Sequence, residues 1–487
     1  MRNQVLAMVS ALLLAACAVG PDYRRPEVAT PDNFVGVDAT QFSTADVERE
    51  FWKGFNDEQL NELIERALAA NHDIRIASAR LREARALRGE TRLDLAPTVQ
   101  ASAGYTKGRA SDRQLGPLQS ADREQDYYDS GFDAFWELDF FGRVRRGIEA
   151  STAQLQSAEA NVYATQVSVT AEVARNYFEL RGAQQQLAVA RRNAENQGET
   201  VRITTARLDA GRGTQLDSSR AQAQLSATLA TIPDLETAVN RGMLRLGVLT
   251  GQAPEALLPQ LSSARPIPTL PVAHDIGTPE LLLRRRPDIR VAERNLAAAT
   301  AQIGVAVGDL FPRITFLGRW GFDAVNSSDL GNTGTETYSF GPSISWAAFD
   351  LGRVRQRIRQ REAATDGALA KYEQTVLQAL EETDASLTAY SKAIVKQQHL
   401  QVSANASLEA ARLARARYES GVADFLQVLD AERTSLAAED QLARSETQTA
   451  TALLATYKAL GGGFRPITTA AAPIWRSEER RVGKECR

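Results

Sequence analysis

Residues that could do chemistry are scarce in this sequence, and none is spaced to do it. His72, His274 and His399 stand far apart, and Cys17 and Cys486 lie near opposite ends. Neither a metal site nor a disulfide framework is available from them. No nucleophile–base pair or paired-carboxylate motif stands out. Gly211-Arg212-Gly213 lacks the preceding strand and the Gly-Lys-Ser/Thr end of a phosphate loop. The formal net charge of −3 offers no nucleic-acid surface. The expectation is a protein that is no enzyme and holds neither metal nor cofactor.

One residue does stand in a context for covalent modification. Arg2 gives a positive start, Val5 to Ala16 an apolar core too short to cross a bilayer, and Leu14-Ala15-Ala16-Cys17 resembles a bacterial lipoprotein cleavage box. Residues 1–16 read as a signal peptide and Cys17 as the acylated first residue of a lipidated extended segment, 17–50. Ala18, rather than Asp, follows the cysteine and favours the outer membrane. An ordinary secretory signal with an incidental cysteine is the alternative. Beyond it no apolar run is long enough for a transmembrane helix, so any membrane crossing must use strands.

The rest of the chain is written twice. Gly142-Arg143-Val144-Arg145 recurs as Gly352-Arg353-Val354-Arg355 at an offset of 210, which also carries Gly211 to Gly421 and Gly251 to Gly461. Upstream, Asp73-Ile74-Arg75 and Pro97 match Asp288-Ile289-Arg290 and Pro312 at an offset of 215. The repeats are 51–253 and 280–464, joined by a Pro-rich linker, 254–279, and followed by a charged tail, 465–487, read as disordered or as an expression or sequencing scar. Each repeat reads helix, strand pair, very long helix, helix. The long helices, 142–210 and 352–420, contain no proline, and small residues recur on more than one face, which suits lateral neighbours on both sides better than a two-stranded coiled coil. Each ends in a glycine turn, at Gly211 and Gly421, after which Thr214 or Asp424 can cap the returning helix.

Four segments alternate with period two: 98–106, 131–140, 314–323 and 338–348. Phe132, Trp136, Phe316, Trp320, Tyr338 and Phe340 fall on one face, and Gln100, Asp133, Arg319 and Ser339 on the other. A half-buried soluble sheet is the bland alternative. Aromatics on one face with charges opposite favour lipid outside and water inside. Residues 107–129 and 324–337 read as polar extracellular connections. Four strands cannot close a barrel, since small membrane barrels need about eight. The chain must therefore share one between copies, and geometry alone leaves dimer and trimer open.

The ordered set of motifs resembles the TolC/OprM-type outer-membrane factors, in their NodT-like lipoprotein branch. It comprises Cys17-Ala18-Val19-Gly20-Pro21-Asp22-Tyr23 with Pro26, Phe51-Trp52, Asp57-Glu58-Gln59-Leu60, and Asn71-His72-Asp73-Ile74. Further on come Arg286-Pro287-Asp288-Ile289 with Ala292-Glu293, Phe311-Pro312, Leu429-Asp430-Ala431-Glu432-Arg433, and Leu460-Gly461-Gly462-Gly463. The resemblance implies a TolC-like α/β barrel: a homotrimer, four transmembrane β-strands per chain, a long antiparallel α-helical barrel in the periplasm, and an equatorial belt that includes 254–279. It implies the exit duct of a tripartite small-molecule efflux system, partnered by a periplasmic adaptor and an inner-membrane transporter of the RND type. A type I protein-secretion duct is the alternative with the same fold. On the family pattern Leu426 and Asp430 form the inner constriction of a periplasmic gate. Arg417, Tyr418 and Asp217 lie beside it, the last two at positions that hold the closed state by hydrogen bonding. The tip turns, Gly211, Gly213, Thr214, Gly421, Val422 and Asp424, would meet the adaptor. A structural coiled-coil lipoprotein is a third possibility that the aromatic strand pairs disfavour.

Overall fold

The protein is described here from a computed structural model covering residues 18–35, 50–109, 111, 124–271 and 275–465. Cys17 and the tail beyond Arg465 lie outside the described residues. The repeats emerge as matched element sets. The first contains α1 (Glu58–Ala70), α2 (His72–Leu93), β1 (Thr98–Arg109), β2 (Glu124–Leu138), α3 (Arg143–Asp209) and α4 (Gln215–Leu249). The second contains α5 (Pro279–Arg285), α6 (Pro287–Gly308), β3 (Arg313–Ala324), β4 (Glu336–Ser345), α7 (Leu351–Glu419) and α8 (Phe425–Ala459). Helices α2 and α6 are both 22 residues long, α4 and α8 both 35, and α3 and α7 67 and 69.

The chain divides into two compact units. One comprises the stretch to Val28, Ser78–Ala160 and Asp288–Val376. Its centre is a four-stranded antiparallel sheet in the order β1-β2-β3-β4. The register lines up Ala101, Phe132, Trp320 and Tyr338 on one face and Gln100, Asp133, Arg319 and Ser339 on the other. Phe132 stacks on Trp320, with centroids 6.3 Å apart. Several strand boundaries differ from expectation. Strand β2 begins at Glu124, so 107–109 and 124–129 are paired strand rather than loop. Charge carries the hairpin past the apolar alternation: Glu124 faces Lys107 and Arg109 at 3.9 and 3.6 Å, and Tyr105 donates to Asp126 at 2.9 Å. The second connection is likewise shorter, since 324 and 336–337 are in strands. At the other end β2 stops at Leu138, because the Asp139 carboxylate accepts from the backbone N–H groups of Val144 and Arg145 and so starts α3. Strand β4 stops at Ser345, and Trp346 turns to donate its indole N–H to Leu310 O at 2.9 Å.

The other unit comprises Ala29–Ala77, Asn161–Pro287 and the chain from Leu377. Its core gathers Phe51, Trp52 and Phe55 with Leu60, Leu63 and Ile64 of α1, Tyr177 and Phe178 of α3, Leu246 of α4 and Leu453 of α8, all nearly fully buried. Burying side chains of this size stabilises by about 1.5–3 kcal/mol each. The Pro-rich linker is partly folded. Pro254–Leu257 forms a 3-10 turn and Leu258–Leu261 a turn of helix, and Leu257 and Leu261 are buried. Arg465, expected in a disordered tail, is instead held by Glu50 and Glu65.

Candidate functional site

The two tip turns are built alike. Gly211 and Gly421 adopt φ of 70° and 76°, the left-handed conformation that lets the backbone reverse after a long helix. Gly213 follows close to the helix end, where an added Cβ would meet Leu208 N at 3.0 Å. Thr214 Oγ1 accepts from Asp217 N at 3.2 Å and Asp424 Oδ1 from Gln427 N at 3.1 Å, so each returning helix is capped by the residue expected to do so. Val422 is exposed.

Leu426 and Asp430 are one turn apart on α8 and share a face. Leu426 is 54 % exposed, although its neighbours Phe425, Val428 and Leu429 are buried with Tyr418 in an apolar cluster. The Asp430 side chain is exposed, and among the described residues its carboxylate has no hydrogen bond or ion pair. An apolar side chain and a free carboxylate thus stand together on a surface that the described residues leave open. Within one chain Tyr418 and Asp217 are not joined. Asp217 Oδ2 takes the Thr214 hydroxyl at 2.7 Å, while the Tyr418 ring lies 4.1 Å beneath the guanidinium of Arg207. Arg417 is exposed, with no bond from its side chain among the described residues.

Several residues with positioning roles were not legible. Arg207 donates to Tyr418 O and Glu419 O at 2.7 and 3.1 Å, tying the first tip to the second; its identity with Arg417 under the 210 offset was the available signal. Arg415 bridges to Glu432 at 2.6 Å and to Thr200 and Asn196 at 3.2 Å. In the sheet, Phe135 and Leu317 pair in register on the polar face and interrupt its charged rows. Arg146, which has no arginine counterpart in the second repeat, grips the segment just after Cys17. It donates to Val19 O, Gly20 O and Asp22 Oδ1 at 3.0, 3.2 and 2.7 Å.

Among the described residues no group of His, Cys, Asp and Glu could hold a metal ion, and no helix is long and apolar enough to cross a membrane. The family profile "Outer membrane efflux protein" matches residues 63–252 and 278–462, one segment in each repeat. The chain belongs to the outer membrane efflux protein family. It is 34 % identical to the outer membrane protein OprJ of Pseudomonas aeruginosa, covering 94 % of this chain and 96 % of that one. It is 30 % identical to nodulation protein T of Rhizobium leguminosarum bv. viciae, covering 95 % and 94 %. Among solved structures, the outer-membrane channel OprN superposes with a TM-score of 0.86 at 44 % identity, covering 92 % of this chain and all of that one. The open state of the Neisseria gonorrhoeae MtrE outer membrane channel gives 0.78 at 28 %, covering 92 % and 98 %. This family member is a TolC-like efflux channel of the bacterial outer membrane that extends into the periplasm.

Proposed function

We infer that this channel is a passive exit duct, a lipid-anchored trimer that is gated at its periplasmic tip by Leu426 and Asp430. It carries small molecules outward as the outer-membrane component of a tripartite pump, with a periplasmic adaptor and an inner-membrane transporter of the RND type. The observation that carries the gate is the pairing of an exposed leucine with an unpartnered carboxylate on one face of α8, beside the tip turn. Brought to the axis by three copies, the leucines form an apolar ring that resists wetting, and the carboxylates form a ring that attracts cations. Arg417, Tyr418 and Asp217 support the closed tip. The glycine turns with Thr214, Val422 and Asp424 present the end that the adaptor engages, and that engagement shifts the population toward the open state. Small molecules, rather than secreted proteins, are the cargo on this reading. The duct performs no covalent chemistry. Bilayer recording of the wild type and of gate variants tests this reading.

Acylation at Cys17 fits the same picture. The Arg146 grip begins at the residue next to that position, Ala18 O, so the segment after the lipid is fixed rather than trailing. Cys17→Ser should yield a protein without acyl chains, because only a thiol can take the thioether-linked lipid. The sheet would still insert, so export should fall only partly. Mass spectrometry of the mature N-terminus checks this, and an unmodified start at Ala16 or Ala18 in the wild type overturns the anchor.

A further inference from the structure

The internal repeat equates Arg207, Leu208 and Asp209 with Arg417, Tyr418 and Glu419. The turns that follow have the same hydrogen bonds. Gly211 N donates to Leu208 O and Gly421 N to Tyr418 O, both at 2.9 Å, and Arg212 N and Val422 N reach the carbonyls of Arg207 and Arg417 at 2.8 and 2.9 Å. The two arginines nevertheless differ in what they touch. Arg207 crosses from the first tip hairpin to the second, where it donates to the last carbonyls of α7 and lies over the Tyr418 ring. A cation there is favoured both by the unsatisfied carbonyls of the helix end and by the ring face. Among the described residues Arg417 is exposed with no side-chain bond, and the matching carbonyls, Leu208 O and Asp209 O, receive no side-chain donor.

In a closed trimer first and second hairpins alternate around the axis. The rotation that carries a first hairpin onto the second of its own chain carries that second hairpin onto the first of the next copy. The same rotation carries the Arg207 contact onto one made by Arg417. We propose that Arg417 caps the first long helix of the adjoining copy, donating to the backbone carbonyls of the partner subunit's Leu208 and the partner subunit's Asp209. This rests on the trimeric-channel reading but not on Leu426 or Asp430. The two seams are unequal. Leu208 stands where the ring of Tyr418 stands in the second repeat, so the seam between copies has the carbonyl cap without the cation–π contact.

Two measurements test the inference. In planar-bilayer recordings of the purified channel, Leu208→Tyr supplies the missing ring and should lower the open probability about threefold. Arg417→Ala should raise the open probability and abolish the effect of Leu208→Tyr. An equal effect of Leu208→Tyr with and without Arg417 overturns the proposal. Seam geometry is read separately in a Cys486→Ser background with a short bismaleimide. Copies carrying Arg417→Cys co-expressed with copies carrying Asp209→Cys should give a cross-linked dimer on a denaturing gel. Copies carrying Arg207→Cys co-expressed with copies carrying Glu419→Cys should give none, because that contact lies within a chain. No dimer from the first pair, or a dimer from the second, refutes the assignment of seams while leaving the channel intact. Absence of a trimer in the parent would instead overturn the reading beneath it.

Discussion

Combining Leu426→Ala with Asp430→Ala is expected to raise single-channel conductance severalfold and to weaken block by multivalent cations. Both residues are exposed on one face of α8, and neither is needed by its own chain: the cluster beneath is filled by Phe425, Val428, Leu429 and Tyr418. The fold should therefore survive the double substitution, and the change should appear in the pore. Replacing the leucines removes the apolar ring that disfavours water at a constriction. Replacing the aspartates removes a ring of like charges, each pair interacting by about 1 kcal/mol at 4 Å in water. That ring is also what would hold a multivalent cation. Asp217→Asn should act more mildly, since its carboxylate serves Thr214 at the cap, a bond worth about 1 kcal/mol. Conductance of the double variant no higher than wild type would place the gate elsewhere in the tunnel.

The second large effect is on stability and lies far along α3 from the tip. Arg181 is fully buried yet has no carboxylate partner among the described residues. Its guanidinium donates to Gln184 Oε1 at 2.6 Å, to Ser263 O at 2.9 Å and to Gln59, and it lies 4.9 Å from the centre of the Tyr177 ring. Burial in this cluster pushes the Tyr177 hydroxyl up to about 12, and that hydroxyl donates to Asp57 at 2.8 Å. One side chain therefore joins α3, the start of α1 and the end of the folded linker. Arg181→Ala leaves the buried side-chain oxygen of Gln184 without its donor, takes the nearest donor from that of Gln59, and opens a cavity. Each orphaned acceptor costs about 1–3 kcal/mol, so a loss of about 3 kcal/mol or more is expected. Urea unfolding followed by circular dichroism measures it. A midpoint equal to that of wild type would show that the network is dispensable.

Much of the fold was written in the repeat. The 210 offset placed both long helices, both turns and both caps, because glycine turns and their capping residues are local signals. Strand faces were equally plain, since aromatics alternate with charges. What escaped depends on partners distant in sequence. The early start of β2 comes from Glu124 and Asp126 meeting side chains of β1, a pairing that hydrophobic alternation does not register. Its end comes from Asp139 turning to cap α3, which reads as one more polar strand position until the helix start is seen. Leu257 and Leu261 showed as residues of a linker because their burial is supplied by elements on either side in the sequence. At the tip, the glycines, Thr214 and Asp424 were legible, and so was the adjacency of Leu426 and Asp430. The role of Arg207 was not, because its acceptors are backbone carbonyls, which carry no residue type.

The sheet itself bears on the central claim. Strands β1 and β4 are its two edges, and each has a side with no partner among the described residues. In lipid every unpaired backbone group on such an edge costs several kcal/mol, so only a barrel closed between copies can be stable there. Native mass spectrometry of the detergent-purified protein, on the same preparation that conducts in bilayers, decides the matter. The predicted result is a particle of three chains and no folded monomer. A conducting monomer or dimer would contradict it.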